Sequence, residues 1–254
     1  MSLDESKPSE VAENPAAPAA RSADSKINHA ASISYWNSVA STSSEMLGML
    51  GTYPWYTRIE LLGSKTFLTK VRRLVPSLPQ TGKLGLGVDC GAGVGRVTEG
   101  FLSHACKVVD AVEPVEKFTN VLAESKLKRD GVVGDIYTVG LENWHPQKKY
   151  DLIWVQWCVG HLTDTQLTEF IVRCRNSLTE TGIMVIKENL STDFQNQDMY
   201  DDLDSSVTRT DEKFKQLFAA ARMDLIKSEI QTGFPKQFKL LPVKSYALRP
   251  NMKA

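Results

Sequence analysis

Apolar positions along this chain switch between two periods. Short, dense apolar runs cover residues 84–90, 107–112, 135–139, 150–157, 182–187, 225–231 and 239–248, and each reads as a strand. The fourth run, Tyr150-Asp151-Leu152-Ile153-Trp154-Val155-Gln156-Trp157, is apolar at successive positions, as a strand covered on both faces requires. Between the runs, apolar residues recur at helical spacing. Phe118, Val121 and Leu122 follow Pro114, which suits a first helical turn. Leu167, Phe170, Ile171, Cys174 and Leu178 follow Asp164, a residue type that caps helices. Phe214, Leu217, Phe218 and Ala221 share one face within residues 211–222, and Phe67, Leu68, Val71 and Leu74 do so within 65–75. This alternation predicts a doubly wound α/β sheet of seven strands, with the last two antiparallel and a helical extension in front.

Residues 1–27 are rich in Ala, Pro, Ser and acids and carry almost no large apolar residue, so a disordered tail is expected. Asp4, Glu5, Glu10 and Glu13 are unlike a mitochondrial presequence, and no basic-then-apolar secretory pattern precedes them. Residues 28–254 suit one domain, in which 28–80 form a helical lid led by Tyr35 and Trp36. Thirty basic and thirty acidic residues give a formal net charge of zero. That excludes a broad polyanion-binding surface, so neither nucleic acid nor a membrane is an expected partner. No apolar run of about 18 residues is present to span a membrane. Cys90, Cys106, Cys158 and Cys174 contain no C-x-x-C pair. Neither a metal site nor a disulfide framework is expected from them, and a reducing, cytoplasmic setting fits.

Chemistry concentrates where strands end. Val88-Asp89-Cys90-Gly91-Ala92-Gly93-Val94-Gly95-Arg96 reads as strand, glycine turn and helix start. Open α/β sheets place nucleotide-like ligands at such a point. The spacing G-x-G-x-G differs from the dinucleotide fingerprint. Eighteen residues beyond Gly95, at the end of the next strand, stands Glu113, an acid able to accept both hydroxyls of a ribose. Together these resemble the first motif and second-strand acid of methyltransferases that use S-adenosylmethionine. Two more strand-end loops follow: residues 156–161, and Lys187-Glu188-Asn189 running into an acidic loop over 198–204.

The runs DCGAGVGR, WVQWCVGHLTD, VIKEN and DDLDSSV are similar to those of the protein alpha-N-terminal methyltransferases. The likeness spans about Tyr35 to Arg249, and WCVGHLTD with DDLDSS discriminates best. Leu241 and Lys244 depart from it where aromatic residues are expected. The resemblance implies a Rossmann-like methyltransferase fold and transfer of methyl groups from S-adenosylmethionine to the α-amine of proteins that begin Xaa-Pro-Lys after Met removal. It implies ribosomal and other nuclear or cytosolic substrates. It assigns Gly91, Gly93, Arg96, Glu113, Leu141, Glu142 and Gln156 to the cofactor. It assigns Tyr35, Trp36, Trp157, Asn189, Asp201, Asp204 and Ser206 to the peptide. Asp204, His161 and Asn189 become the catalytic candidates. Arg96 would pair with the cofactor's carboxylate and Glu113 with its ribose.

An α-amine has a reference pKa of roughly 7.7–8.0, so much of it is protonated near neutrality. Methyl transfer needs its lone pair, and Asp204 and His161 are both candidates to accept the proton. Proline at the second position offers no N–H, so an apolar slot beside Trp157 leaves no donor unsatisfied. The acidic loop accounts for lysine at the third. Two other readings stay open from sequence: a methyltransferase for a small amine, and a non-catalytic module that binds protein termini. A neutral metabolite gives the acidic loop no task, and the intact Gly91, Gly93, Gly95 and Glu113 weigh against loss of catalysis.

Overall fold

The computed structural model describes residues 22–251. After a 3-10 turn at Ala23–Lys26 come α1 (His29–Ser38), α2 (Ser43–Met46), a second 3-10 turn (Gly48–Thr52) and α3 (Pro54–Leu74). The sheet then begins with β1 (Leu84–Cys90), a π-turn (Thr98–Leu102), α4 (Ser103–Ala105) and β2 (Cys106–Val112). Next are α5 (Glu116–Glu124), α6 (Lys126–Arg129), β3 (Val133–Tyr137) and β4 (Tyr150–Gln156). The chain continues through α7 (Asp164–Asn176), β5 (Leu178–Asn189), a hairpin of β6 (Met199–Asp201) and β7 (Ser206–Thr208), and α8 (Asp211–Ala220). It closes with β8 (Met223–Ile230) and β9 (Val243–Pro250).

Seven strands form one sheet in the order β3-β2-β1-β4-β5-β9-β8. The first five run parallel, and β9 is antiparallel to both β5 and β8. The strand order reverses between β1 and β4, which puts a crevice at their carboxyl ends. Period-2 alternation explains the unbroken apolar run of β4. Ile153 and Val155 join a core with Phe170, Ile171, Phe214 and Phe218, under α7 and α8. Leu152 and Trp154 join the opposite core with Phe67, Leu68, Val71 and Phe101, under α3 and the π-turn. No helix among the described residues is long and apolar enough to cross a membrane.

The expected doubly wound sheet is present, and its boundaries move for physical reasons. β3 begins at Val133, two residues before the expected 135–139; as an edge strand it carries only one buried residue, so its apolar signal is weak. The last strand starts at Val243 and not at 239, because Lys239 takes a left-handed conformation after a 3-10 turn. Thr163, not Asp164, caps α7: its hydroxyl accepts from the Gln166 amide, and Gln166 returns the bond as a capping box. α3 starts eleven residues before the expected 65, with Pro54 in its first turn. Its buried stripe contains Glu60 and Ser64, polar residues that broke the apolar pattern, while Leu74, expected inside, is exposed. The acidic stretch at 198–204, expected as a loop, is largely one arm and the turn of the β6–β7 hairpin. Residues 22–27 were expected within the tail but are folded: the Asp24 carboxylate accepts from the Asp164 amide at 3.0 Å, at the start of α7. Residues 1–21, the rest of that expected tail, lie outside the described residues.

Candidate active site

A cavity of about 390 Å³ opens at the carboxyl ends of β1, β2, β4 and β5. Along one side runs the glycine turn. Gly91 and Gly93 have φ of 73° and 55°, the left-handed region that glycine enters without cost. A Cβ at Gly91 would lie 2.4 Å from that of Cys158, so two strand ends approach as closely as atoms allow. The amides of Gly91 and Ala92 both donate to the Val112 carbonyl, at 2.8 and 3.0 Å. Glu113 ties the turn to α5: its carboxylate accepts from Gly93 N and Val115 N, each at 2.9 Å. Burial outweighs those two bonds and pushes the Glu113 carboxyl up to about 7. Each oxygen keeps a further lone pair for a hydroxyl.

Leu141 and Glu142 border the cavity after β3. Arg173 of α7 fixes their loop by donating to the carbonyls of Leu141 (2.8 Å), Glu142 (3.1 Å) and Trp144 (2.9 Å). Gln156, at the tip of β4, accepts from Trp154 Nε1 at 3.0 Å. Its own Nε2 is buried without a partner. Trp157, the next residue, has φ of 55°, a strained conformation for a bulky side chain. Its ring stacks on Tyr56 and lies 5.4 Å from the Arg96 guanidinium, and its indole N–H is buried and unpaired. Arg96 pairs with Glu60 of α3, a partner that sequence reasoning did not supply.

The opposite side is assembled from three distant segments. Trp36 of α1 donates from Nε1 to His161 Nε2 at 3.1 Å. His161 Nδ1 lies 3.0 Å from Ser32 Oγ, which donates to the Asp204 carbonyl at 2.8 Å. This chain fixes the neutral tautomer with the proton on Nδ1, because Nε2 already accepts. Burial holds the His161 imidazole below its ordinary value, against the pull of Asp204. Both ring nitrogens are therefore occupied. Asp204 Oδ1, by contrast, is buried without a partner, and the residue lines the cavity with Asn189 and Ser206.

Of the site residues expected from sequence, the cavity gathers Trp36, Gly91, Gly93, Arg96, Glu113, Leu141, Glu142, Gln156, Trp157, His161, Asn189, Asp204 and Ser206. Tyr35 and Asp201 do not line it. Tyr35 instead packs edge-on against Trp36 at 5.2 Å. Asp201 sits exposed on β6, with Oδ1 accepting from Leu203 N at 2.9 Å. Leu241 and Lys244 also lie outside the lining; Lys244 pairs with Asp211 at 2.7 Å.

Sequence reasoning gave no role to two further groups. Glu188, a buried acid in an apolar strand, accepts from Cys158 N (2.8 Å) and Val159 N (3.1 Å) and so holds the loop that carries His161. Burial pushes its carboxyl up to about 7. Arg209, fully buried just after β7, donates to Asp164 Oδ1 at 2.9 Å, to Val159 O at 3.0 Å and to Leu162 O. A charged residue inside the VIKEN strand was a usable signal for Glu188; Arg209 carried none.

The unpaired Gln156 Nε2 and Trp157 Nε1 belong to side chains that line a cavity walled by glycines, Glu113 and Arg96. These groups fit S-adenosylmethionine: a carboxylate for the ribose, a guanidinium for the methionine carboxylate, and buried donors without acceptors.

Comparison with known proteins agrees. Residues 24–249 match the model of a family described as AdoMet dependent proline di-methyltransferase. An alpha N-terminal protein methyltransferase 1 from Schizosaccharomyces pombe is 40% identical over 220 residues, 86% of this chain and 94% of that protein. An N-terminal Xaa-Pro-Lys N-methyltransferase 1-A from Xenopus laevis is 38% identical over 217 residues, 85% and 92% of the two chains. Among solved structures, a SAM-dependent methyltransferase from Leishmania major superposes with a TM-score of 0.73 at 32% identity, covering 87% of this chain and 82% of that one.

Proposed function

The chain belongs to the AdoMet dependent proline di-methyltransferase family, and from that premise we propose how its cavity divides the work on a protein N-terminus. It is a methyltransferase that uses S-adenosylmethionine, on a class I Rossmann-like fold. The proposed acceptor is the α-amine of a protein beginning Xaa-Pro-Lys, as the names of its relatives suggest. One observation carries this reading: Gln156 Nε2, Trp157 Nε1 and Asp204 Oδ1, three buried polar atoms without partners, belong to side chains that line one cavity.

On the cofactor side, Glu113 takes the ribose hydroxyls, Leu141 and Glu142 border the adenine, and Arg96 and Gln156 hold the methionine end. Gly91 and Gly93 let that end approach the backbone. The bound cofactor supplies an electrophilic methyl group. On the acceptor side, Asn189 and Ser206 hold the peptide backbone and the Trp157 ring walls the proline slot, which contains no donor to satisfy. Asp204 Oδ1 accepts the proton from the incoming ammonium, freeing its lone pair. His161, neutral and bonded at both nitrogens, fixes the Trp36–Ser32–Asp204 arrangement and is not the direct base. Asp201, exposed on the β6–β7 hairpin, attracts the third-position lysine, and Tyr35 supports Trp36 through its edge-on contact. Residues 28–80 act as a lid: Ser32, Trp36, Met46, Leu47 and Leu50 all border the cavity.

Ribosomal and nuclear proteins that begin Xaa-Pro-Lys are the proposed substrates, met in the cytoplasm or nucleus. The four free cysteines among the described residues support a reducing compartment. The reading is tested by mass spectrometry of Xaa-Pro-Lys peptides incubated with the protein and S-adenosylmethionine. Mass increments of whole methyl groups on the α-amine are expected. Increments on an N-acetylated control, or on free amines equally well, would refute it.

A further inference from the structure

Glu60 and Lys187 are both completely buried, and Arg96 beside them is nearly so. Buried charges are costly unless paired. Here one carboxylate serves two cations: Glu60 Oε1 accepts from Lys187 Nζ at 2.6 Å and Oε2 from Arg96 Nη1. Lys187 has two further acceptors, the Glu60 carbonyl at 3.1 Å and Ser64 Oγ at 2.9 Å. Arg96 has none: among the described residues its other guanidinium nitrogens meet no acceptor, and the side chain lines the cavity. The Trp157 ring lies against the guanidinium at 5.4 Å.

The geometry points to Glu60 as a positioning residue for the cofactor: it anchors one edge of Arg96 and leaves the other edge to hold the carboxylate of S-adenosylmethionine. This rests on the assignment of Arg96 made above. A helix of the N-terminal extension thereby supplies a charge to the cofactor site as well as packing over the sheet.

Removal of that one charge acts unequally. The Lys187 ammonium already sits below its ordinary value through burial, with Glu60 raising it and Arg96 lowering it. Without Glu60 it can shed its proton and stay, on Ser64 and a carbonyl. Arg96 cannot lose its proton. It would swing toward solvent or toward Asp89, the other acid that senses it, whose Oδ1 is unpaired. Asp89 is itself pushed up to about 6 by burial, and its Oδ2 is taken by Thr98 at 2.6 Å, so it replaces Glu60 poorly.

The experiment is calorimetric binding of S-adenosylhomocysteine and of its decarboxylated analogue. Hydrogen bonds to a charged group predict that the intact protein prefers the carboxylate form by about 10- to 100-fold. In Glu60→Gln that preference should shrink about tenfold, with the analogue's own affinity changed by less than about twofold. Ser64→Ala removes a bond to Glu60 Oε1 (3.0 Å) and one from Lys187 but leaves the Glu60 Oε2–Arg96 contact, so it should keep most of the preference, and Glu60→Asp should restore part of it. If Glu60→Gln fails to fold, Glu60→Asp carries the comparison through a reduced preference. Equal weakening of both ligands would make Glu60 a fold support only and overturn the proposal. An undiminished preference in the variants would overturn it while leaving Arg96 in place. No preference in the intact protein would remove Arg96 from the carboxylate, and the proposal with it.

Discussion

The two walls of the cavity are built in opposite ways. The cofactor wall has a local core, to which Leu141, Glu142, Gln156 and the Glu60–Arg96 pair are added: the glycine turn and Glu113 occupy twenty-three residues, 91–113, and backbone amides make most of the bonds in that core. It sits on the rigid centre of a parallel sheet. The acceptor wall joins α1, the 157–162 loop and the β6–β7 hairpin, which are far apart in sequence. Side chains hold it together: Ser32 bridges His161 and Asp204, Ser205 Oγ accepts from Asn28 N at 2.8 Å, and Arg209 clamps the loop to the hairpin. A backbone-built wall tolerates many side chains and gives a recognisable motif. A side-chain-built wall depends on a few polar groups, each costly to lose.

That contrast is breakable, and the largest effect should come from Arg209. Arg209→Met removes the donors to two buried carbonyls and to Asp164. A loss of about 3 kcal/mol in stability is expected, read as a lower Tm, since two buried carbonyls lose their donors while Asp164 keeps Lys213 at 2.7 Å. Affinity for S-adenosylhomocysteine in the folded fraction should stay unchanged, and its loss would show that the walls are not separable. On the cofactor side, Gly93→Val forces a β-branched residue to positive φ and drives its Cβ to 2.5 Å from the Met46 methyl. The strain, about 1–3 kcal/mol, should weaken S-adenosylhomocysteine about 10- to 100-fold by calorimetry. Unaltered affinity would refute the turn's role.

How much of this was legible follows the same division. The glycine turn, Glu113 and the parallel strands declared themselves because motif and apolar period are both short-range. The buried Glu60 and Ser64 hid the first half of α3, since a polar residue inside reads as surface until its partner is known. Arg209 gave no local sign, because its acceptors are carbonyls, present at every residue. Asp204 and His161 were both legible as candidate bases, but only the hydrogen bonds to both His161 nitrogens divide the roles between them.

Smaller perturbations sharpen the comparison. Ser32→Ala leaves His161 Nδ1 and the Asp204 carbonyl without their shared partner. Two hydrogen bonds are lost, about 1 kcal/mol each, which predicts a kcat at least about fivefold lower with cofactor affinity intact. Cofactor affinity falling in step with kcat would show that α1 serves both walls. Asp201→Asn, exposed on the β6–β7 hairpin, should raise KM for Xaa-Pro-Lys peptides by only about two- to threefold, less at high salt and less for a neutral third residue. An equal rise for both peptides would contradict charge recognition.

The most direct test is single-turnover methyl transfer by Asp204→Asn to an Xaa-Pro-Lys peptide at saturating S-adenosylmethionine, from about pH 6 to about pH 9, across the reference range of an α-amine. Asparagine keeps the shape and removes the proton acceptor. The prediction is a rate lower by roughly 10²–10⁴-fold near neutrality, recovering in part as pH rises and the amine arrives deprotonated, with affinity for S-adenosylhomocysteine unchanged. A wild-type rate across that range would contradict it, and the proton would then leave by His161 or by water.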